Sequence, residues 1–349
     1  MRIRRTFPVV LAVLAIAGAV ILAVQLRKHA PPEPARLLPG GDAYFYLDLG
    51  PIRKANTSKE LPAASHDAEY ERFIHETGFE FERDLDEAAF AVHYPAKWPG
   101  GGTGGSAPEP RFSEVLVGKF QGERLTGYLR QISQSIENYQ SVDIFTIRLE
   151  GRTLRVAVLS ADSVAASNHD DPAVIRGMID HSRRLASPFG GPALLRQYYK
   201  HVQFASLAWA VARIDPSARN IGGWGALFGA PATVVASGTY LSPLHLNLRA
   251  DAIHLRAEAF TENPEDARSI IDKVNVFVAL THTAETSLGT HGTDPDVKSF
   301  FESLQVKQDG NRAVLNAAVP FGFLRKMLAE SGPEWTEPAA STEVPAKSK

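Results

Sequence analysis

Short segments in which apolar and polar side chains alternate recur along most of this chain. A period of two fits one regular structure, the half-buried β-strand. Ala43 to Leu49 (AYFYLDL) sets the pattern. It returns at Ala88 to His93, Glu114 to Phe120, Val142 to Leu149, Leu154 to Leu159, Leu207 to Ile214, Thr233 to Leu241, Leu244 to Ala250, Ile253 to Phe260, Leu304 to Lys307 and Ala313 to Val319. Leu244, Leu246 and Leu248 fall on one side, with His245, Asn247 and Arg249 opposite. The phase breaks at Asp251-Ala252, as a tight turn or bulge would require. One-sided strands of this kind belong to antiparallel sheets with a wet or helix-covered face, not to parallel sheets buried on both sides.

Helical spacing separates the strand segments. It relates Leu125, Leu129 and Ile132; Val174, Ile175, Met178 and Leu185; Ile270, Ile271, Val274 and Val278; and Val297, Phe300, Phe301 and Leu304. Asp171-Pro172 and Asn263-Pro264-Glu265-Asp266 read as helix starts, a capping side chain followed by proline or early acids. The first half runs strand 43–49, helix 68–77, strands 88–94 and 114–120, helix 122–133, hairpin 142–159, helix 172–185. The second runs strand 205–214, a Gly-rich stretch 220–229, strands 232–260, helices 264–280 and 296–303, hairpin 304–319, helix 320–329. The hairpins turn at Glu150-Gly151-Arg152 and Asp309-Gly310-Asn311, and a helix follows each. The expectation is an α+β fold made of two similar antiparallel-sheet-plus-helix units in tandem, residues 42–190 and 191–332.

Phe7 to Leu26 is an apolar run with Gln25 as its one polar side chain. As a helix it would extend about 30 Å, the thickness of a bilayer's hydrocarbon core. It predicts an N-terminal transmembrane anchor, residues 1–26. Arg2, Arg4 and Arg5 precede it and Arg27 and Lys28 follow, so charge alone orients it weakly. A short basic start followed by a single apolar run behaves as an export signal, which places the N-terminus inside and the body outside. Ala15-Ile16-Ala17 has the small-x-small form of a cleavage site, but the apolar run is longer than the usual ~7–15 residues of a cleaved signal. Arg4-Arg5-Thr6-Phe7 matches a twin-arginine signal only in part. Residues 27–41 (RKHAPPEPARLLPGG from Arg27) predict a Pro-rich spacer, and 333–349 a disordered tail.

A membrane segment, a Pro-rich spacer, and then Leu38-Pro39-Gly40-Gly41-Asp42-Ala43-Tyr44-Phe45-Tyr46-Leu47-Asp48-Leu49 resembles the opening of uncharacterised bacterial membrane-anchored extracytoplasmic proteins with a duplicated α+β body. The resemblance covers the first fifty residues and the element order. It implies a single-pass protein of the bacterial inner (cytoplasmic) membrane with its C-terminal body extracytoplasmic, and it brings no catalytic residues with it.

Composition and motifs narrow the chemistry. Hydrophobic residues make up 44% and charged residues 22%, proportions of a globular chain. A net charge of -2 without a basic block argues against a nucleic-acid partner. With no cysteine, disulfides, thiolate metal sites and a cysteine nucleophile are excluded. The Gly-rich stretch Pro99 to Pro110 is followed by Ala107-Pro108-Glu109-Pro110 at its end rather than the Lys and Ser/Thr of a phosphate loop, so it reads as a hairpin insertion. No Gly-x-Ser-x-Gly occurs, and His75-Glu76 meets Phe79 where a zinc protease needs its second histidine. His282, His291, Asp294 and Asp296 form the richest polar cluster, at no fixed ligand spacing, and Asp294-Pro295-Asp296 reads as a helix cap. His169-Asp170-Asp171 reads as a cap too. Trp224, Leu227 and Phe228, within Ile221 to Pro231, read as a short core-packed helix or an apolar contact tip.

No catalytic, cofactor-binding or metal-ligating residue is assigned. The reading is a membrane-anchored envelope protein acting as a non-enzymatic scaffold, assembly factor or binding module. Its expected partners are inner-membrane lipid, through the anchor, and an envelope protein. The alternative is a periplasmic enzyme or ligand-binding protein with a site between the two units, near His282 and His291.

Overall fold

The computed structural model describes residues 30–55, 66–94, 110–149, 151–184, 190–215, 229–240, 252–288 and 295–324. Strands are β1 Ala43–Asp48, β2 Leu85–His93, β3 Arg111–Gly118, β4 Ser135–Tyr139, β5 Val142–Leu149, β6 Arg152–Val158, β7 Ser163–Ser167, β8 Ala208–Ile214, β9 Ala232–Thr239, β10 Ala252–Phe260, β11 Gln305–Asp309 and β12 Arg312–Pro320. They form one 12-stranded sheet in the order β11-β12-β10-β9-β8-β1-β2-β3-β7-β6-β5-β4. Every pairing is antiparallel. The helices are α1 Glu33–Leu37, α2 Gly50–Ala55, α3 Ala68–Thr77, α4 Phe81–Asp84, α5 Gly122–Ile132, α6 Ala173–Arg183, α7 Ala193–Tyr198, α8 Pro264–Leu288 and α9 Pro295–Ser303. The chain is therefore α+β, built on a large antiparallel sheet.

Strands β1-β2-β3 and β8-β9-β10 are each a three-strand meander. A helical passage follows each, α5 in one case and α8 with α9 in the other. The chain then returns, as the four-strand meander β4-β5-β6-β7 or the hairpin β11-β12, and the last strand, β7 or β12, pairs with β3 or β10. Strands β1 and β8 pair directly, from Ala43↔Ala212 to Leu47↔Ala208, so the strands are continuous across the middle. Where the sequence suggested two sheets side by side, the strands share one.

Local chemistry explains the elements. Asp67 caps α3 by accepting the Tyr70 N–H at 2.7 Å. The helix stops at Gly78, whose φ of 72° is left-handed and whose N–H returns to the Ile74 carbonyl. Asn263 caps α8 through the Asp266 N–H, as its sequence signature suggested. The β4-β5 turn places Gln140 and Ser141 both at positive φ, the geometry of a tight type I′ hairpin. Neither is glycine, and α6 holds the turn from outside: Arg183 donates to the Gln140 carbonyl at 2.6 Å, and the Gln140 amide donates to Asp180 at 2.7 Å.

The expected spacer 27–41 needs correction in its second half. Glu33–Leu37 is a helical turn with proline in its first positions, where no intrahelical N–H is lost. Its Ala35 and Leu37, with Leu38 beyond it, are buried in the main core. The Tyr44 hydroxyl donates to the Pro39 carbonyl at 3.0 Å. The apolar run Phe7 to Leu26 and the tail 333–349 lie outside the described residues. Among those residues no helix is long and apolar enough to cross a membrane.

The two faces of the sheet differ. The front face carries Tyr44, Tyr46, Ala89, Val115, Ile144, Val211 and Val235, and it is covered at its middle by α1, α6 and α7. There Ile175, Met178 and Ile179 of α6 and Leu194 and Leu195 of α7 complete the largest core. The back face is clothed towards its two ends. Leu125 and Leu129 of α5 lie on Phe145, Ile147 and Val156, while Phe73 and Phe79, in and just after α3, meet Leu85, Ala88 and Phe90. Ile270, Ile271 and Val274 of α8 lie on Ala232, Ala259 and Ala313.

Candidate functional site

Three polar clusters and one apolar surface stand out. In the first cluster, Ser113 Oγ lies 3.0 Å from His93 Nε2 and 2.9 Å from Ser167 Oγ. The His93 and His169 rings meet edge-on with centroids 5.2 Å apart. Burial, then the neighbouring His169, hold His93 below the usual histidine range. A serine beside a neutral imidazole resembles a nucleophile with its base. Ser113 is 0% exposed in the sheet, however, so no substrate carbonyl can reach its oxygen. This cluster pins β2, β3 and β7 together.

The second cluster centres on Glu258 of β10, whose side chain is 3% exposed. Arg256 approaches one carboxylate oxygen at 2.7 Å, and Arg312 of β12 the other at 3.2 Å. His201 stands 3.5 Å from the second oxygen and is held below the usual histidine range, first by burial. With both oxygens occupied the carboxylate is a structural counter-ion rather than a base.

The third is a charged hollow of about 640 Å³ between Asp48, Arg53, Asp86, Glu87 and Lys119. Arg53 pairs with Asp86, and the Tyr46 hydroxyl donates to Glu87 at 2.8 Å. Burial raises the Glu87 carboxyl against the lowering effect of that bond. Tyr46 in turn stacks on Trp209 across the β1-β8 seam, centroids 5.4 Å apart. The hollow's acids and bases largely satisfy one another.

The back face differs in kind. Following the register from strand to strand gives a row with one residue per strand: Val306, Leu315, Ala257, Ala236, Ala210, Phe45, Phe90, Glu114, Ala166, Val156, Phe145 and Ile136. The β8-β9 step, Ala210↔Ala236, completes it. At about 4.8 Å per strand the row spans roughly 50 Å. All its members are apolar except Glu114. Helices α5 and α8 cover part of the row on either side and leave its middle open, with Phe45 44%, Phe112 41% and Leu255 38% exposed; Ile136 on the edge strand β4 is exposed as well. Contiguous apolar surface left in water marks contact with a partner or ligand.

Beside Glu114 the surface sinks into a hollow of about 400 Å³ walled by Phe90, Phe112, Leu154 and Ala166. Asn168 at its rim already accepts the Phe112 N–H through its amide oxygen at 2.7 Å. Among the described residues no hydrogen bond or ion pair reaches the Glu114 carboxylate. Burial alone raises its pKa, and no neighbouring charge contributes.

Of the sequence candidates, His282 falls in α8 with its side chain outside the described residues; His291 and Asp294 lie outside them too. Asp296 sits in the first turn of α9. Among the described residues no three His, Asp or Glu side chains gather as a metal site. Asp171 caps α6 by accepting the Ala173 N–H at 2.8 Å, and His169 accepts the Asp171 N–H at 3.1 Å. Trp224, Leu227, Phe228 and most of the Gly-rich stretch 99–110 are outside the described residues. Sequence reading passed over Glu114 because its segment alternated correctly. A signal was present: an acid sits at the apolar phase between Phe112 and Leu116.

No protein-family model and no curated protein matches the chain. Among solved structures it is similar to the Treponema protein TP0453. Crystal form III gives a TM-score of 0.45 at 9% identity, covering 86% of this chain and 99% of that one. Crystal forms I and IV give 0.41 and 0.42 at the same identity, over 98% and 97% of those chains. Nothing about this chain's activity follows from similarity at that level.

Proposed function

We propose that this chain is a non-enzymatic binding module of the bacterial envelope that takes an amphipathic small molecule on the open middle of its back face. The carrying observation is the apolar middle of the row around Phe45 and Phe112, left open between the stretches that α5 and α8 cover. Its hollow of about 400 Å³ falls in the size range of small-molecule sites. The polar clusters support the same reading, since their groups are buried or mutually satisfied. The apolar run Phe7 to Leu26 supports a single-pass tether in the inner membrane with the body outside. The shared order of a three-strand meander, a helical passage and returning strands that pair with the third strand, in residues 42–190 and 191–332, supports the descent of the two halves from one unit.

The test uses the body from residue 27 onward and the neutral apolar dye N-phenyl-1-naphthylamine. Saturable fluorescence enhancement is expected. The double variant Phe45→Ser, Phe112→Ser should weaken it several-fold while keeping the circular dichroism of the parent. Enhancement that is absent, or indifferent to both changes, refutes the binding surface. The tether is tested separately: the full chain should stay with membranes through high-salt and carbonate washes, and its release would remove that part of the proposal.

A further inference from the structure

Glu114 is a poor choice for stability alone. It occupies a position that apolar residues, Phe45, Phe90 and Phe145 among them, fill in every other strand of the row, and burial disfavours its charged form without any described partner in return. Its surroundings are specific. Phe90 faces it across the β2-β3 pair, and Phe112 precedes it by two residues on the same side of β3. A carboxylate and two phenyl rings border one hollow and so offer negative charge and aromatic surface to the same guest.

We propose that the hollow beside Glu114 binds a hydrophobic organic cation, a protonated amine carried on an aromatic or alkyl body. The ammonium pairs with the Glu114 carboxylate, the phenyl rings of Phe90 and Phe112 flank it, and the apolar body lies along Leu154 and Ala166. This deepens, and rests on, the reading of the back face as a binding surface. Other guests fit less well. An anion would meet an unscreened carboxylate. Hard metal cations require several oxygen ligands, and one carboxyl among phenyl rings supplies too few. A neutral apolar molecule would fill the walls and leave the acid unpaired.

The experiment compares phenethylammonium with 2-phenylethanol, which differ in the charged group and share the phenylethyl body. Full-length protein in phosphatidylcholine nanodiscs is titrated by calorimetry, with empty discs subtracted. The ammonium should bind at least tenfold more tightly than the alcohol. Glu114→Gln, which keeps the shape and removes the charge, should abolish that preference and leave the alcohol within twofold. Phe112→Ala should weaken both. Equal affinities in the parent protein, or a preference that survives Glu114→Gln, overturns the assignment. If the naphthylamine dye still binds in that case, the cation assignment alone falls. If the dye does not bind, the binding surface falls and the assignment with it.

Discussion

Replacing Glu114 with glutamine should make the protein more stable at neutral pH, and the gain should disappear in acid. The carboxylate lies among Phe90, Phe112, Leu154 and Ala166 with no described hydrogen bond. Burial raises its pKa from the ordinary 4.5. The unfolded chain therefore gives up this proton at a lower pH than the folded one. Below the ordinary value both states hold the proton and the group is neutral to folding. As pH rises through the folded value the wild type loses stability, because unfolding then frees the charge from its apolar surroundings. Glutamine resembles the protonated acid and carries no such loss. Burying an uncompensated polar group costs about 1–3 kcal/mol, and Glu114 is only partly buried, so the variant should gain at most about 1 kcal/mol at pH 7 to 8. That corresponds to roughly 2–4 °C in melting temperature per kcal/mol for a body of this size. Urea unfolding of both proteins at pH 4, 5, 6, 7 and 8, followed by circular dichroism, reads the difference directly. A variant less stable than wild type at pH 7, or a gain of equal size at pH 4, would refute the account of Glu114 as a partly buried charge with no described partner.

Two further outcomes test the scaffold. Changing Arg256 and Arg312 together to methionine strands the buried Glu258 carboxylate and should lower stability by about 3–5 kcal/mol, and adding Glu258→Met should recover most of it, measured by denaturant midpoints. Gly118→Ala should destabilise by about 1–3 kcal/mol and lower the melting temperature, because its Cβ would stand 2.4 Å from the Asp84 carbonyl oxygen at the β2-β3 bulge.

Elements with strong local signals were readable in the sequence. The helix expected at 68–77 forms over Ala68–Thr77, and the expected start at Asn263-Pro264 caps α8. Hairpins β5-β6 and β11-β12 follow from alternation on either side of a glycine turn. What escaped lacks such signals. Strand β7 (SVAAS) is short and buried on both sides, which erases the period of two. Strand β4 (SIENY) is an exposed edge with little to alternate against. Helix α1 was hidden by prolines that usually mark extended chain, although the first helical turn tolerates them. The hollow was least visible, since Glu114 and Phe90 become neighbours only through the register of β2 with β3. That register is a long-range property that no window of sequence contains.

The placement of β1 bears on how the body would carry load. Among the described residues it is the first strand, yet five strands lie on one side of it and six on the other. Tension arriving from the N-terminal side reaches a segment bonded along its length to β2 and to β8. Pulling along its axis strains both ladders at once in shear, whereas peeling an outer strand would break bonds one by one. Mechanical force would thus enter through a strand held on both sides, the one that also carries Phe45.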